Sequence, residues 1–118
     1  MSVSVNELEK AVNTLGQALA LPLDDVVRDA SIQRFEFCIE LAWKTARKTM
    51  GTQTTAPKQV VREMAQNGYI DDVQVWFDAL EKRNLTSHTY NEEVANQVYT
   101  FVKVFITQLR LLVVNLKK

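Results

Sequence analysis

Residues 24–51 read DDVVRDASIQRFEFCIELAWKTARKTMG, and the spacing of their apolar positions decides the fold class. Ile32, Phe35, Ile39, Ala42 and Ala46 recur at steps of three and four, which places them on one face of an α-helix and not on alternate faces of a strand. Asp24 or Asp25 offers a carboxylate to cap the helix start. Gly51 accepts the left-handed conformation that ends helices, so the stretch predicts one long helix to about Met50. Phe37, Leu41 and Trp43 make other faces apolar too. So wide a stripe predicts burial on two sides, by the bundle and by a second subunit, unless the helix is buried all round within one chain.

The same reading extends outward. Before this helix, Val5, Leu8, Val12, Leu15 and Leu19 predict a first helix over about Ser4 to Ala20, with Pro22 marking the turn after it. Beyond it, Thr52-Gln53-Thr54-Thr55 is a polar loop. Pro57 suits the first turn of a third helix, where its missing N–H would have no partner, and Asn67-Gly68 ends that helix. Asp71 is expected to cap a fourth helix with Val73, Trp76, Phe77 and Leu80 inward. Thr89-Tyr90-Asn91-Glu92 has capping-box spacing for a fifth, which runs to the C-terminus through Val94, Val98, Phe101, Phe105, Leu109, Leu112 and Leu116. Three glycines and two prolines are too few to punctuate a many-stranded β fold. The expectation is an all-α protein of about five helices, one domain spanning residues 1–118.

Composition narrows the functions. Hydrophobic residues make up 47% and charged residues 24% of the 118 positions, enough apolar side chain to close a core. Fourteen basic and fourteen acidic residues cancel, so no global field draws the chain to nucleic acid or to an anionic membrane, and such a partner must be met by a local patch. Between Glu40 and Glu63 the sequence carries Lys44, Arg47, Lys48, Lys58 and Arg62 and no acid. Taken alone, that block reads as a solvated helix face. Lys44, Arg47 and Lys48 are also candidate substrate-binding residues. Cys38 is the single cysteine, and the absence of a Cys/His cluster removes the usual zinc arrangements, so no metal and no cofactor is expected. The N-terminus lacks the apolar run of a signal peptide, and the run Leu111–Val114 stops far short of the ~20 residues of a spanning helix. A cytoplasmic protein with no membrane partner fits.

One segment stands out chemically. Steps of three and four from Val73, Phe77 and Leu80 land on Asn84 and then His88, so two polar side chains would continue an apolar stripe, with Arg83 and Tyr90 on the adjacent one if the helix persisted. The plain reading is a hydrogen-bonded interior His88, an Arg83 paired with Glu81 or Glu92, and a Tyr90 that packs its ring at a helix junction.

Two stretches carry a family resemblance: Gln33-Arg34-Phe35-Glu36-Phe37 with Glu40-Leu41-Ala42-Trp43-Lys44-Thr45, and Arg83-Asn84-Leu85-Thr86-Ser87-His88-Thr89-Tyr90-Asn91-Glu92. They resemble the two signatures of the HEPN partners of minimal nucleotidyltransferases, and the resemblance covers nearly the whole chain. It implies an up-and-down helical bundle, usually a homodimer, paired with a cognate small nucleotidyltransferase and described as that enzyme's substrate-binding subunit. Many relatives are toxins of toxin–antitoxin pairs. In ribonuclease members the active site is an Arg, often followed by a polar residue, and a His after four to six intervening residues, which assigns Arg83, Asn84 and His88 as catalytic. An imidazole can take a proton from a ribose 2′-hydroxyl near neutral pH while a guanidinium stabilises charge on the phosphate. The resemblance also implies that Tyr90, two positions after the histidine, is the residue the partner adenylylates to silence a toxin. The alternative function is a non-catalytic subunit in which Arg83 and His88 hold a nucleotide or phosphate.

Overall fold

The computed structural model describes residues 3–118, and every regular element in them is helical. Five α-helices follow in order: α1 (Val5–Leu19), α2 (Asp25–Met50), α3 (Pro57–Gln66), α4 (Val73–Asn84) and α5 (Glu92–Leu116), with a 3₁₀ turn, Leu85–His88, between the last two. They form an up-and-down bundle of 40 × 27 × 23 Å.

Local chemistry sets the boundaries. Ser4 caps α1 through Glu7 N (3.1 Å), and of the two candidate aspartates at the start of α2 it is Asp24 that accepts from Val27 N (2.8 Å). Gly51 ends α2 at φ 67°, a left-handed conformation that costs a residue with a Cβ more than glycine. Pro57 opens α3. Two capping expectations are corrected. Asp72, not Asp71, caps α4 by accepting from Val75 N (3.1 Å). Asn91, not Thr89, caps α5 by accepting from Val94 N (3.2 Å), because the Thr89 hydroxyl is spent on the Thr86 carbonyl (3.1 Å).

The three long helices α1, α2 and α5 pack on one another, while α3 and α4 pair and close against α2. Phe105 of α5 sits at the centre, its ring 6.1 Å from Phe35 of α2 and 4.9 Å from Trp76 of α4, both edge-on. This aromatic junction fixes α4 against α2 and thereby places the end of α4 beside the middle of α2. Phe77, expected inward, is only half-buried, with the Lys58 ammonium and the Arg62 guanidinium 5.8 and 5.4 Å from its ring centre. Trp76 takes the core position.

Part of the width of the α2 stripe is covered within the chain. Trp43 is buried and Leu41 half-buried within the chain, and of the three extra apolar residues only Phe37 stays exposed. By length and composition α5 could cross a bilayer; here Val98, Val102, Phe105, Leu109 and Leu112 are buried in the bundle.

Candidate functional site

The end of α4 is where local sequence overrides the helical repeat. Three hydroxyls within four residues compete for backbone carbonyls: Thr86 donates to Arg83 O (2.7 Å), Ser87 to Asn84 O (3.4 Å) and Thr89 to Thr86 O (3.1 Å). Ser and Thr side chains bonded back in this way offer the backbone an alternative to the α ladder. The chain tightens into the 3₁₀ turn, and the side chains leave the 3.6-residue repeat. The stripe extrapolated from Val73 through Asn84 to His88 therefore does not form. Asn84 and His88 are both exposed, and the interior histidine of the plain reading is corrected to a surface one.

Arg83, one residue before the helix ends, points the other way. Its Nη1 donates to the Glu40 carboxylate on α2 and its Nη2 to Asn84 Oδ1 (3.1 Å). The partner is neither Glu81 nor Glu92 but a residue 43 positions upstream. The other Glu40 oxygen lies 3.4 Å from Lys44 Nζ, so two cations share one carboxylate and the cluster keeps a net positive charge. The Arg83 side chain is 22% exposed and that of Glu40 33%. At that depth the pair is screened less than a surface ion pair and avoids the full desolvation cost of an interior one.

The His88 ring meets the Tyr90 ring edge-on, with centroids 6.1 Å apart. Tyr90 is 85% exposed, so it does not pack its ring into the helix junction. Below this ledge, the backbone of the turn is closed by Asn91 N donating to His88 O (3.1 Å).

The three basic residues near the end of α2 divide. Lys44 reaches Glu40, whereas Arg47 donates to Thr54 O (2.6 Å) and Gln53 O (3.4 Å), bracing the loop after α2, and Lys48 donates to Val3 O (3.0 Å). All three line one open groove of about 640 Å³ beside Trp43. Sequence reasoning named these three and the Arg83–Tyr90 segment but assigned no role to Glu40, the residue that joins Lys44 to Arg83. The available signal was weak: Glu40 lies one helical turn before Lys44 in the first of the two quoted stretches.

Comparison with known proteins bears on this arrangement. A family model described as "Nucleotidyltransferase substrate binding protein like" matches residues 3–118. The "Probable ribonuclease HepT" of Haemophilus influenzae is 29% identical over 104 residues, which is 81% of this chain and 71% of that protein. A crystal structure of a protein from Thermus thermophilus superposes with a TM-score of 0.86 at 30% identity, covering 94% of this chain and 99% of that one. A second structure, from Haemophilus influenzae and described as revealing the fold of a substrate binding domain of a nucleotidyltransferase, gives 0.86 at 28% identity over 97% and 99%. The chain belongs to the nucleotidyltransferase substrate binding protein like family.

Proposed function

We propose that this member of the family is a metal-independent endoribonuclease, a toxin-like component silenced when a cognate small nucleotidyltransferase adenylylates Tyr90. The observation that carries the reading is the pairing of an anchored Arg83 with a solvent-facing His88 on the turn that follows it. His88 takes the 2′-hydroxyl proton as the 2′-oxygen attacks the adjacent phosphorus. Arg83, with Asn84, stabilises the charge on the non-bridging oxygens. The departing 5′-oxygen then needs a proton, and the products are a 2′,3′-cyclic phosphate and a 5′-hydroxyl. His88 is the single histidine of the chain, so a general acid of the same type comes from a second copy, and we place the active species as a symmetric homodimer in the cytoplasm. Tyr90 presents its phenol to another protein, and an adenylyl group there would set a phosphate near the Arg83–Lys44 cations and obstruct His88.

The second reading, a substrate-binding subunit without catalysis, draws support from Arg83 being already engaged by Glu40 and from the description of the Haemophilus structure. One experiment separates the two. Purified protein is incubated with RNA in the presence of EDTA, and the cut ends are analysed. Cyclic phosphate ends that disappear in His88→Ala support the nuclease; intact RNA under all conditions, with retained nucleotide binding, supports the subunit. Mass spectrometry of the Tyr90 peptide after incubation with the partner, ATP and magnesium tests the control step.

A further inference from the structure

The groove beside the site is charged on one side only. Lys44, Arg47 and Lys48 line it along one row of α2, Thr52, Gln53 and Thr55 line it from the following loop, and among the described residues no carboxylate does. Lys44 and Lys48 stand one turn apart, about 6 Å along the helix axis, a step of the same order as that between neighbouring phosphates of an extended strand. The row is continuous with the site, because the Glu40 carboxylate touches Arg83 with one oxygen and Lys44 with the other.

We propose that this groove binds the sugar–phosphate backbone flanking the cleaved bond of single-stranded RNA, a proposal that rests on the ribonuclease reading. With Arg83 on the scissile phosphate, Lys44 meets the next one and Lys48 the one after, and the strand leaves over the loop that Arg47 braces. Arg47 is a positioning residue here: its guanidinium is held by two loop carbonyls. Trp43 is only 9% exposed, so its ring gives no stacking platform of the kind that adds base contacts in other single-strand grooves. Recognition along this side is therefore electrostatic and indifferent to base identity. A row of cations on one helix serves one strand, whereas a duplex would present a second backbone that nothing in the groove meets.

The test is fluorescence anisotropy of a labelled, uncleavable 2′-O-methyl RNA from about 50 to 200 mM salt, with wild type, Lys44→Gln, Lys48→Gln, the double variant, and Lys103→Gln as a charge-matched control on α5. Each phosphate contact to a single strand contributes about 0.7 to the slope of log affinity against log salt. Each groove variant should lower the slope by about that amount and the double variant by about twice it, equally for RNAs of different sequence, while Lys103→Gln leaves it unchanged. Circular dichroism confirms that the variants are folded. A double variant with the wild-type slope, in a protein that still cleaves RNA, overturns the groove and leaves the nuclease standing. A wild type that binds no RNA, or a groove that captures only acidic peptides, overturns both.

Discussion

Arg83 and His88 are five residues apart and are held in different ways. Arg83 is tied to Glu40 across the α2–α4 contact and backed by the Phe35–Phe105–Trp76 junction. For His88, no side-chain hydrogen bond is present among the described residues; its ring has the edge of Tyr90 beside it, on a turn closed by its own hydroxyls. The anchored half holds a charge in place, and the exposed half leaves an imidazole and a phenol open to solvent. The contrast shows that one short segment serves two mechanical roles because the helix ends between them.

The sharpest way to break the contrast is to remove each half in turn. His88→Ala and Arg83→Ala should each lower RNA cleavage by about 10²-fold or more, read as single-turnover rates. They should differ in stability. His88→Ala should shift the free energy of unfolding by less than about 0.5 kcal/mol, whereas Arg83→Ala should cost up to about 1 kcal/mol, kept small by the partial exposure of the pair. Equal stability losses in urea titrations would erase the distinction between anchored and exposed halves.

Glu40→Ala leaves Arg83 present but unaimed. A displacement of the guanidinium by about 1 Å can lower the rate by up to about a hundredfold, with Glu40→Gln retaining part of the activity through its remaining hydrogen-bond acceptor. Wild-type rates in both variants would mean that Arg83 is placed by Asn84 alone.

Tyr90→Phe tests the exposed half. The ring is retained and its hydroxyl makes no hydrogen bond among the described residues, so cleavage and stability should stay close to wild type, within about 0.5 kcal/mol, while adenylylation and silencing by the partner are lost. A silenced Tyr90→Phe variant would move the control site elsewhere.

The smallest effect gauges the anchored half from inside. Cys38 lies two residues before Glu40 and is fully buried, and burial pushes its thiol from 9.0 up to about 12. The folded thiol keeps its proton longer than the unfolded one, so below pH 9 Cys38 contributes no pH dependence, and stability falls as pH rises from 9 towards 12. Thiol reagents at neutral pH should label it only on unfolding. Rapid labelling of native Glu40→Ala, with wild type protected, would show that the pair also keeps α2 and α4 closed.

Much of this was legible in the sequence. The helical spacing of Ile32 to Ala46, the proline at the start of α3 and the glycine at the end of α2 act through contacts of a few residues, and such local terms can be read without knowing the fold. The Arg83-Asn84 and His88 pattern was equally visible, as was Tyr90. The caps were misplaced by a residue or two because Asp71 and Asp72 carry the same chemistry, and only the backbone turn decides which carboxylate meets a free N–H.

The position of His88 failed for a further reason: the extrapolated stripe assumed that the helix persists, and three back-bonding hydroxyls end it. Glu40 lay beyond reach of any local rule. An ion pair between residues 43 apart depends on how α4 crosses α2, and that crossing is set by aromatic rings from three helices packing into one volume. The sequence by itself thus determined which helices form, roughly where they end and which side chains are candidates for chemistry. The tertiary structure alone decided which carboxylate the arginine meets, because that contact follows from the packing of separate helices against one another, whereas the facing of the histidine was decided by the hydroxyls that end α4.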